Sequence, residues 1–389
     1  MKKIISLVLA VIMAFGAVVF ANADSADAKL QFNDDGNFRI MQIADIQDGF
    51  FITPSVPEFI KDAVAMTNPD LIVLTGDNIS GGSSGIGVSA IDKPVTKIAI
   101  NNFMSVFEEI GIPVAVVFGN HDSENALSKE EQMEMYMSYD CCVAVDEGDA
   151  LYGCGTYNLP VYSSTDANKI AYNLWMIDSN TYDEENGGYD HVHEDQIKWY
   201  KDTSDALKAQ NGGKPVPSMM FQHIIVPEIY DIIEEVPAGT PNTYESDGKY
   251  YTFKDGYLID GALCEAPCPP SRNAGQFNAV VEQGDVVAMF FGHDHKNSFR
   301  VNYKGVDLLT TSGISFGSYG NEERGVRIID IKEGTTEYET ETLYYLDVYA
   351  DDELALARYT LYGNEFGTGE KILAFFEVVI AHIKNIFTF

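Results

Sequence analysis

Basic residues are scarce in this chain. Its 389 residues include 25 lysines and arginines against 59 aspartates and glutamates, which gives a formal net charge of −34 at pH 7. Such a surface repels nucleic acid backbones and anionic lipid headgroups, and it attracts cations. The composition therefore argues against DNA or RNA as a partner.

Cysteine is also rare, with five residues in the whole chain. The C-x3-C spacing of Cys264 and Cys268 does not match a zinc knuckle, so a structural role is expected. A disulfide could join these two, and Cys154 could pair with Cys141 or Cys142. The odd number leaves at least one cysteine without an intramolecular partner.

The sequence lacks a phosphate-binding P-loop, because the glycine-rich stretch 81–89 is not followed by Gly-Lys-Ser/Thr. The N-terminus instead has the layout of an export signal over residues 1–23. The basic pair Lys2-Lys3 precedes the apolar run Ile4–Phe20, and Ala21-Asn22-Ala23 has the small-x-small pattern of a cleavage site. We expect cleavage and a secreted or extracytoplasmic protein; an uncleaved anchor is the alternative.

Short apolar runs alternate with stretches of helical spacing, which predicts a layered α/β (α+β) domain over residues 29–346. The predicted strands are Phe38–Ala44, Leu71–Leu74, Ile112–Phe118, Ile170–Ile177, Val216–Phe221, Val286–Phe291, Val306–Leu309, Arg324–Ile331 and Glu337–Leu346. The predicted helices are Pro57–Met66, Ile98–Ile110, Gln132–Met137 and Glu194–Ala206.

An acidic extension, residues 347–389, follows the predicted domain and ends in an amphipathic helix over 370–389. One face of that helix carries Ile372, Phe376, Val379, Ile383 and Ile386. It could contact a membrane or cell surface weakly, pack on the domain, or mediate assembly, and the last two are favoured together.

Polar side chains follow five of the apolar runs, each at the carboxyl end of a predicted strand. In chain order they are Asp45, Asp77, Asn120-His121-Asp122, His223 and His293-Asp294-His295. Ligands of open α/β sheets bind at that edge. Carboxylate, amide and imidazole groups without thiolates suit two divalent ions sharing a bridging carboxylate. The ions could be Mn, Fe, Zn or Ca.

Five motifs carry a resemblance to a known family. They are Asp45-Ile46-Gln47, Gly76-Asp77, Gly119-Asn120-His121-Asp122, the lone His223, and Gly292-His293-Asp294-His295. In this order the sequence resembles the calcineurin-like metallophosphoesterase superfamily, on the branch near purple acid phosphatase-like proteins, from about Asn37 to Ile331. The resemblance implies two packed mixed β-sheets flanked by helices.

The resemblance also implies roles for the motif residues. The first metal ion would be bound by Asp45, Asp77 and His295, and the second by Asp77, Asn120, His223 and His293. His121 matches the family's catalytic histidine, which assists the leaving group, and Asp122 would orient it. The nucleophile would be a metal-bound hydroxide.

Gln47 departs from the family pattern, which has histidine at that position. Purple acid phosphatases also lack this histidine but carry a tyrosine three residues after the bridging aspartate, where this chain has Ser80. The amide oxygen of Gln47 could still bind the first ion, more weakly. We therefore expect a looser first site that prefers an oxygen-seeking ion.

These features predict a secreted phosphoesterase that hydrolyses small phosphate monoesters, with diesters as a second option. The alternative is a catalytically weak metal-binding surface or adhesion protein on the same fold. A nuclease is disfavoured by the net charge of −34.

Three further features stay open. His191 and His193 could contact substrate or bind an accessory metal, although a solvated loop is favoured. Arg272 could bind a substrate phosphate or form a structural ion pair. The G-x-S-x-G stretch Gly313–Gly317 resembles a nucleophile elbow, but only His382 follows it. We interpret it as a tight loop bordering the metal site.

Overall fold

The computed structural model describes residues 29–82, 89–146 and 148–387. The predicted signal peptide lies outside the described residues, as does most of the glycine-rich loop 81–89. The strands are β1 (Asn37–Ile43), β2 (Leu71–Thr75), β3 (Val114–Val117), β4 (Tyr157–Tyr162), β5 (Ile170–Met176), β6 (Ser218–Phe221), β7 (Ile233–Val236), β8 (Tyr244–Ser246), β9 (Lys249–Phe253), β10 (Leu258–Asp260), β11 (Val286–Phe291), β12 (Arg300–Tyr303), β13 (Val306–Thr310), β14 (Gly325–Lys332) and β15 (Tyr338–Tyr344).

The α-helices are α1 (Ser55–Thr67), α2 (Ser89–Ile110), α3 (Lys129–Tyr136), α4 (Glu194–Gln210), α5 (Gln276–Gln283), α6 (Tyr345–Val348), α7 (Glu353–Tyr362) and α8 (Thr368–Phe387). Short 3-10 helices cover His121–Glu124, Gly148–Ala150 and Pro227–Ile232.

Two large mixed sheets form the body of the protein. The five-stranded sheet has the order β15-β14-β1-β2-β3, and the seven-stranded sheet has the order β10-β12-β13-β11-β6-β5-β4. Strands β1, β2 and β3 are parallel, as are β5, β6, β11 and β13. The carboxyl ends within each parallel set therefore meet at one edge. The predicted layered fold of two mixed sheets flanked by helices is confirmed.

Alternate side chains of β6 face two hydrophobic cores, as the two-residue period of a strand requires. Met219 and Phe221 join the core shared with the five-stranded sheet. Met220 faces the opposite way, into a second core that includes Tyr200 of α4 and Phe277 of α5. Because both faces are buried, the central strands read as continuous apolar runs in the sequence.

Several strands and helices were not predicted from the sequence. They are strands β4, β7 to β10 and β12 and helices α5 to α7, and the small sheet β7-β9-β8 lies among them. All five cysteines are free thiols, so neither disulfide suggested by the spacing is present.

The C-terminal extension is joined to the domain by an ion pair whose arginine is buried. The guanidinium of Arg324 binds the Glu365 carboxylate at 2.6 and 3.0 Å, and Tyr359 of α7 is buried beside it. In α8 Ala374 is buried, whereas the predicted apolar face is exposed at Ile372, Phe376, Val379 and Ile383. Within the described part of the chain, no helix has the length and apolar character needed to cross a membrane.

Candidate metal centre

The carboxyl edges of the two sheets are joined directly behind the predicted site. The side-chain amide of Gln42, near the end of β1, donates to Thr75 Oγ1 at 3.0 Å and to the carbonyl oxygen of Phe291 at 3.1 Å. Thr75 ends β2 and Phe291 ends β11. This buried amide therefore fixes the relative position of the loops that carry Asp45, Asp77 and His293.

The backbone takes an unusual conformation at four of the predicted site residues. Asp45, Gln47, Asp77 and His293 have φ angles of 54°, 42°, 50° and 73°, among nine non-glycine residues with positive φ in the described ranges. Left-handed backbone is costly for such residues and concentrates at functional sites. Here it turns each side chain inward immediately after its strand.

The first predicted ligand group is assembled as the resemblance implied. Asp45, Asp77 and His295 place one ligand atom each within 4.8 Å of one another. His295 Nδ1 lies 2.8 Å from the Tyr319 carbonyl oxygen, and its Nε2 lies 3.3 Å from Asp45 Oδ1. That carboxylate oxygen is buried and accepts no hydrogen bond. A buried anionic oxygen without a partner is costly, and a bound cation would satisfy it.

The second group consists of Asp77, His223 and His293, again within 4.8 Å. His223 Nδ1 lies 2.8 Å from the Thr75 carbonyl oxygen, so it carries the proton. Its Nε2 faces Asp77 Oδ2 at 3.2 Å and His293 Nδ1 at 3.3 Å. Asp77 thus belongs to both groups, as a bridging carboxylate must.

The pKa values of the two histidines are driven apart by this packing. Burial lowers the pKa of His223, but the Asp77 carboxylate outweighs burial and raises it to about 10. Burial and the adjacent His223 lower the pKa of His293 to about 3. The packing therefore favours a protonated His223 beside a neutral His293, and a divalent ion could replace that positive charge.

Asn120 also fits a metal ligand. Its Nδ2 donates to the Tyr182 hydroxyl at 2.9 Å, which fixes the orientation of the amide. Its Oδ1 is buried and has no hydrogen-bond partner. The free atom is therefore the carbonyl oxygen, the atom that can bind a cation.

Gln47 differs from the expectation that it binds the first ion. Its Nε2 donates to Asp77 Oδ2 at 3.0 Å, and an amide nitrogen is a donor without a lone pair for a metal. Ser80, at the position of the tyrosine found in purple acid phosphatases, donates its hydroxyl to the Gln47 carbonyl oxygen. In this arrangement Gln47 holds the bridging carboxylate rather than an ion.

The prediction that Asp122 orients His121 is wrong. Asp122 accepts hydrogen bonds from the backbone amides of Asn78 at 3.0 Å, Ile79 at 3.2 Å and Gly119 at 2.8 Å. These bonds orient its carboxylate toward the loop after β2. Burial and the nearby Asp77 raise the pKa of Asp122 to about 7. Asp122 therefore braces two loops.

Glu124 is the carboxylate that contacts His121. His121 Nδ1 lies 2.8 Å from Glu124 Oε2, and His121 Nε2 lies 3.9 Å from Asp77 Oδ2. A 3-10 helix spans His121–Glu124, and its three-residue turn places positions i and i+3 side by side. The only sign of this contact in the sequence is the i, i+3 spacing of His121 and Glu124. That spacing brings two side chains together only if the segment forms a turn of this kind.

Two tyrosines complete the wall of the site and were not predicted. Tyr182 donates to Glu124 Oε1 at 2.7 Å. The Tyr189 ring lies edge-on to His293, with ring centroids 4.4 Å apart, and stacks with Tyr182 at 5.6 Å. Both lie in the loop Asn180–His193, between β5 and α4.

Close approach explains the glycines that flank the ligands. A Cβ atom on Gly119 would lie 2.2 Å from Asp77 Oδ1, and one on Gly292 would lie 2.8 Å from Asp45 Oδ2. Both distances are shorter than any van der Waals contact. Only glycine lets these strand ends pass so near the carboxylates.

The structure shows the contacts of two features that the sequence left open, Arg272 and the stretch Gly313–Gly317. Arg272 binds Glu194 at 2.7 Å in an exposed ion pair, the structural alternative. The backbone amide of Ser315 donates to the Asp45 carbonyl oxygen at 3.1 Å, and its hydroxyl accepts from Gly317 and Ser318. The G-x-S-x-G stretch is thus a tight loop at the border of the candidate centre.

Two Asp/His groups share one buried carboxylate, and an asparagine and a carboxylate-bound histidine lie beside them. Together they define a candidate two-metal centre of hydrolytic type. The family model for calcineurin-like phosphoesterases matches residues 38–297. The chain belongs to this family.

Similar proteins differ in what their names say about activity. The chain is 28% identical over 375 residues to "Probable inactive purple acid phosphatase 14" of Arabidopsis thaliana, covering 87% of this chain and 86% of that protein. It is 26% identical over 300 residues to "Phosphatase DCR2" of Saccharomyces cerevisiae, covering 71% of this chain and 47% of that one. A solved dimetal phosphatase from Danio rerio is 14% identical, with a TM-score of 0.48 and coverage of 78% and 98%.

Proposed function

We propose that this protein is a metal-dependent phosphoric ester hydrolase that acts on small phosphate monoesters, with diesters as a second substrate class. The observation that supports it most is Asp77, which stands in both ligand groups. Two divalent ions held there would supply an activated hydroxide and neutralise phosphoryl charge. Metal analysis of the purified protein would identify these ions among Mn, Fe, Zn and Ca.

His121 is the residue to which we assign leaving-group assistance. The Glu124 carboxylate accepts from Nδ1, so Nδ1 carries a proton and the ring is held in place. Nε2 is then the atom turned toward the candidate centre, and His121 is partly exposed, with 39% of its side chain accessible. A proton on Nε2 can pass to the departing ester oxygen.

A second candidate is a metal-binding protein that does not turn over phosphate esters, such as a surface or adhesion protein. Two observations favour it. Three relatives from Arabidopsis thaliana carry "inactive" in their names, and Gln47 donates to Asp77 where the family pattern has a histidine. Phosphatase chemistry remains our first proposal because the His121–Glu124 pair and both ligand groups are present.

One experiment distinguishes the two proposed functions. The purified protein is reconstituted with Mn²⁺, Fe²⁺, Zn²⁺ or Ca²⁺ and assayed on chromogenic phosphate mono- and diesters. We expect metal-dependent turnover that falls by roughly 100-fold or more in His121→Ala and in Asn120→Ala. His382→Ala, a change of an exposed histidine in α8, is the matched control and should keep full activity.

Absence of turnover with every metal, while ions still bind, would favour the binding protein. Full activity in both His121→Ala and Asn120→Ala would refute the mechanism.

We also propose that the protein is exported and that α8 serves as a contact surface. The signal-like pattern of residues 1–23 supports export. N-terminal sequencing of the mature protein should start at Asp24, and a start at Met1 would contradict export by cleavage. The exposed apolar side chains of α8 support a surface contact, which flotation with neutral lipid vesicles would test.

A further inference from the structure

A third group of metal-ligating side chains lies outside the two groups described above. Asp190, His191 and His193 each offer one ligand atom, and these atoms lie within 4.8 Å of one another. All three lie in the loop between β5 and α4. The favoured expectation of a solvated loop is wrong here, because Asp190 and His191 are buried and His193 is only partly exposed.

The two histidines of this group lie against each other. His193, which precedes α4, has extended backbone with φ −78° and ψ 161°. The rings of His191 and His193 stack with centroids 4.4 Å apart, while Val192 between them is buried in the second core. Two imidazoles are thereby brought to one side of a short segment.

Asp190 completes the group by accepting from both rings. His191 Nδ1 lies 2.8 Å from its Oδ1, and His193 Nε2 lies 3.0 Å from its Oδ2. Ligand atoms of one tetrahedral zinc ion, at roughly 2.0–2.1 Å from the metal, lie about 3.3 Å apart. The three atoms therefore need only small shifts to surround an ion.

A separate observation indicates that this cluster is not satisfied by its own hydrogen bonds. His191 Nε2 is buried and has no hydrogen-bond partner. With Nδ1 donating to Asp190, this nitrogen is an unused acceptor, which is costly at a buried position. A half-turn of the ring about the Cβ–Cγ bond would carry Nε2 to the edge that now faces Asp190, where it could bind an ion.

The backbone that carries the cluster is held firmly. The side-chain amide of Asn180 donates to the His191 carbonyl oxygen at 2.7 Å, and Gln196 Oε1 accepts from the His193 amide at 2.9 Å. Gln196 in turn donates to the carbonyl oxygen of Asp178 at the end of β5. The group is therefore supported by a strand end and a helix start, as a preformed metal site requires.

We propose that Asp190, His191 and His193 form a third metal site, selective for a borderline divalent ion such as Zn²⁺. Two imidazoles and one carboxylate, with a partly open side at His193, match the ligand sets of three-ligand zinc sites. The ion would bind at the base of the loop that carries Tyr182 and Tyr189 to the main centre. The Asp190 amide already donates to the Thr181 carbonyl oxygen at 3.1 Å, closing that loop.

The first test is zinc stoichiometry of the full chain. Wild type and His193→Gln are saturated with Zn²⁺, passed through a metal-free column, and analysed for zinc per chain. We expect His193→Gln to hold one zinc ion fewer than wild type. His382→Gln, at a distant exposed histidine, should match wild type, and His293→Gln should lose zinc from the main centre while retaining the ion in the loop.

Equal zinc content in wild type and His193→Gln would overturn the proposal. A second measurement avoids dependence on a folded variant. Anomalous diffraction at the zinc edge from wild-type crystals should show a peak among Asp190, His191 and His193. Peaks confined to the main centre would mean that the two histidines serve only as hydrogen-bond donors to Asp190, and the proposal would be wrong.

Discussion

The Nδ1 atom of His121 lies 2.8 Å from Oε2 of Glu124. The other oxygen of the same carboxylate accepts from Tyr182, which also holds the amide of Asn120. One carboxylate thus links the histidine assigned to leaving-group assistance with the asparagine assigned to the second ion. Asp122, adjacent in sequence, is directed to backbone amides instead.

Glu124→Gln should lower turnover by roughly 10–100-fold, because the ring of His121 loses the charged partner that orients it. KM and thermal stability should change little, since Glu124 is not buried. Steady-state kinetics and melting curves measure both, with the exposed Glu134→Gln as control. Unchanged turnover in Glu124→Gln would contradict the assignment.

Asp122→Asn should act on stability instead. The carboxylate accepts from three backbone amides, and an asparagine offers a single acceptor oxygen. Leaving buried amides without partners costs about 1–3 kcal/mol in the free energy of unfolding. Urea denaturation of the metal-free protein measures this loss in the free energy of unfolding. A variant as stable as wild type would show that these hydrogen bonds are dispensable.

Asp77→Asn should remove both ions, whereas His293→Gln should remove one. The reason is that Asp77 belongs to both ligand groups and His293 to the second alone. Metal analysis after reconstitution with Mn²⁺ or Zn²⁺ measures the difference directly. The bridging role would be refuted if Asp77→Asn lost no more ions per chain than His293→Gln does.

Gln47→His should tighten binding at the first ligand group. The present side chain offers an amide nitrogen to Asp77, and an imidazole would add a nitrogen ligand at the position where the family pattern has one. Histidine also tolerates the left-handed backbone, φ 42°, better than most residues do. Metal titration should give a lower Kd than wild type, with Gln47→Ala no tighter than wild type. A His variant that binds as weakly as the Ala variant would exclude a ligand role for this position.

Asp285 should make the stability of the protein fall as the pH rises. It accepts from Trp175, Tyr200 and Ser218, yet burial dominates and raises its pKa above the ordinary 3.8. Above pH 3.8 the unfolded chain releases this proton while the folded chain keeps it. The folded state therefore binds more protons, and the free energy of unfolding decreases until the pH passes the folded pKa.

Asp285→Asn should remove that part of the slope, although its lost acceptor lowers stability throughout. Urea denaturation between pH 4 and 8, in the metal-free protein, compares the two curves. Parallel curves for wild type and variant would show that Asp285 does not titrate differently on folding.

The central strands and the positions of the candidate ligand residues could be predicted because each signal is local. Buried parallel strands leave unbroken apolar runs, and Asp45, Asp77, Asn120, His223 and His293 follow such runs directly. The strands of the small sheet β7-β9-β8 could not be predicted, because most of their residues are half-exposed or exposed and carry no clear apolar period.

The amino-acid sequence alone determined the layered fold, the order of the ligand motifs and the likeness to a family of metal-dependent phosphoesterases. Only the tertiary structure decided the partners of those side chains. Glu124 rather than Asp122 contacts His121, Gln47 turns its amide nitrogen to Asp77, and Asp190 unites two histidines. These choices depend on turns and on contacts between residues far apart in the chain, which no local pattern specifies.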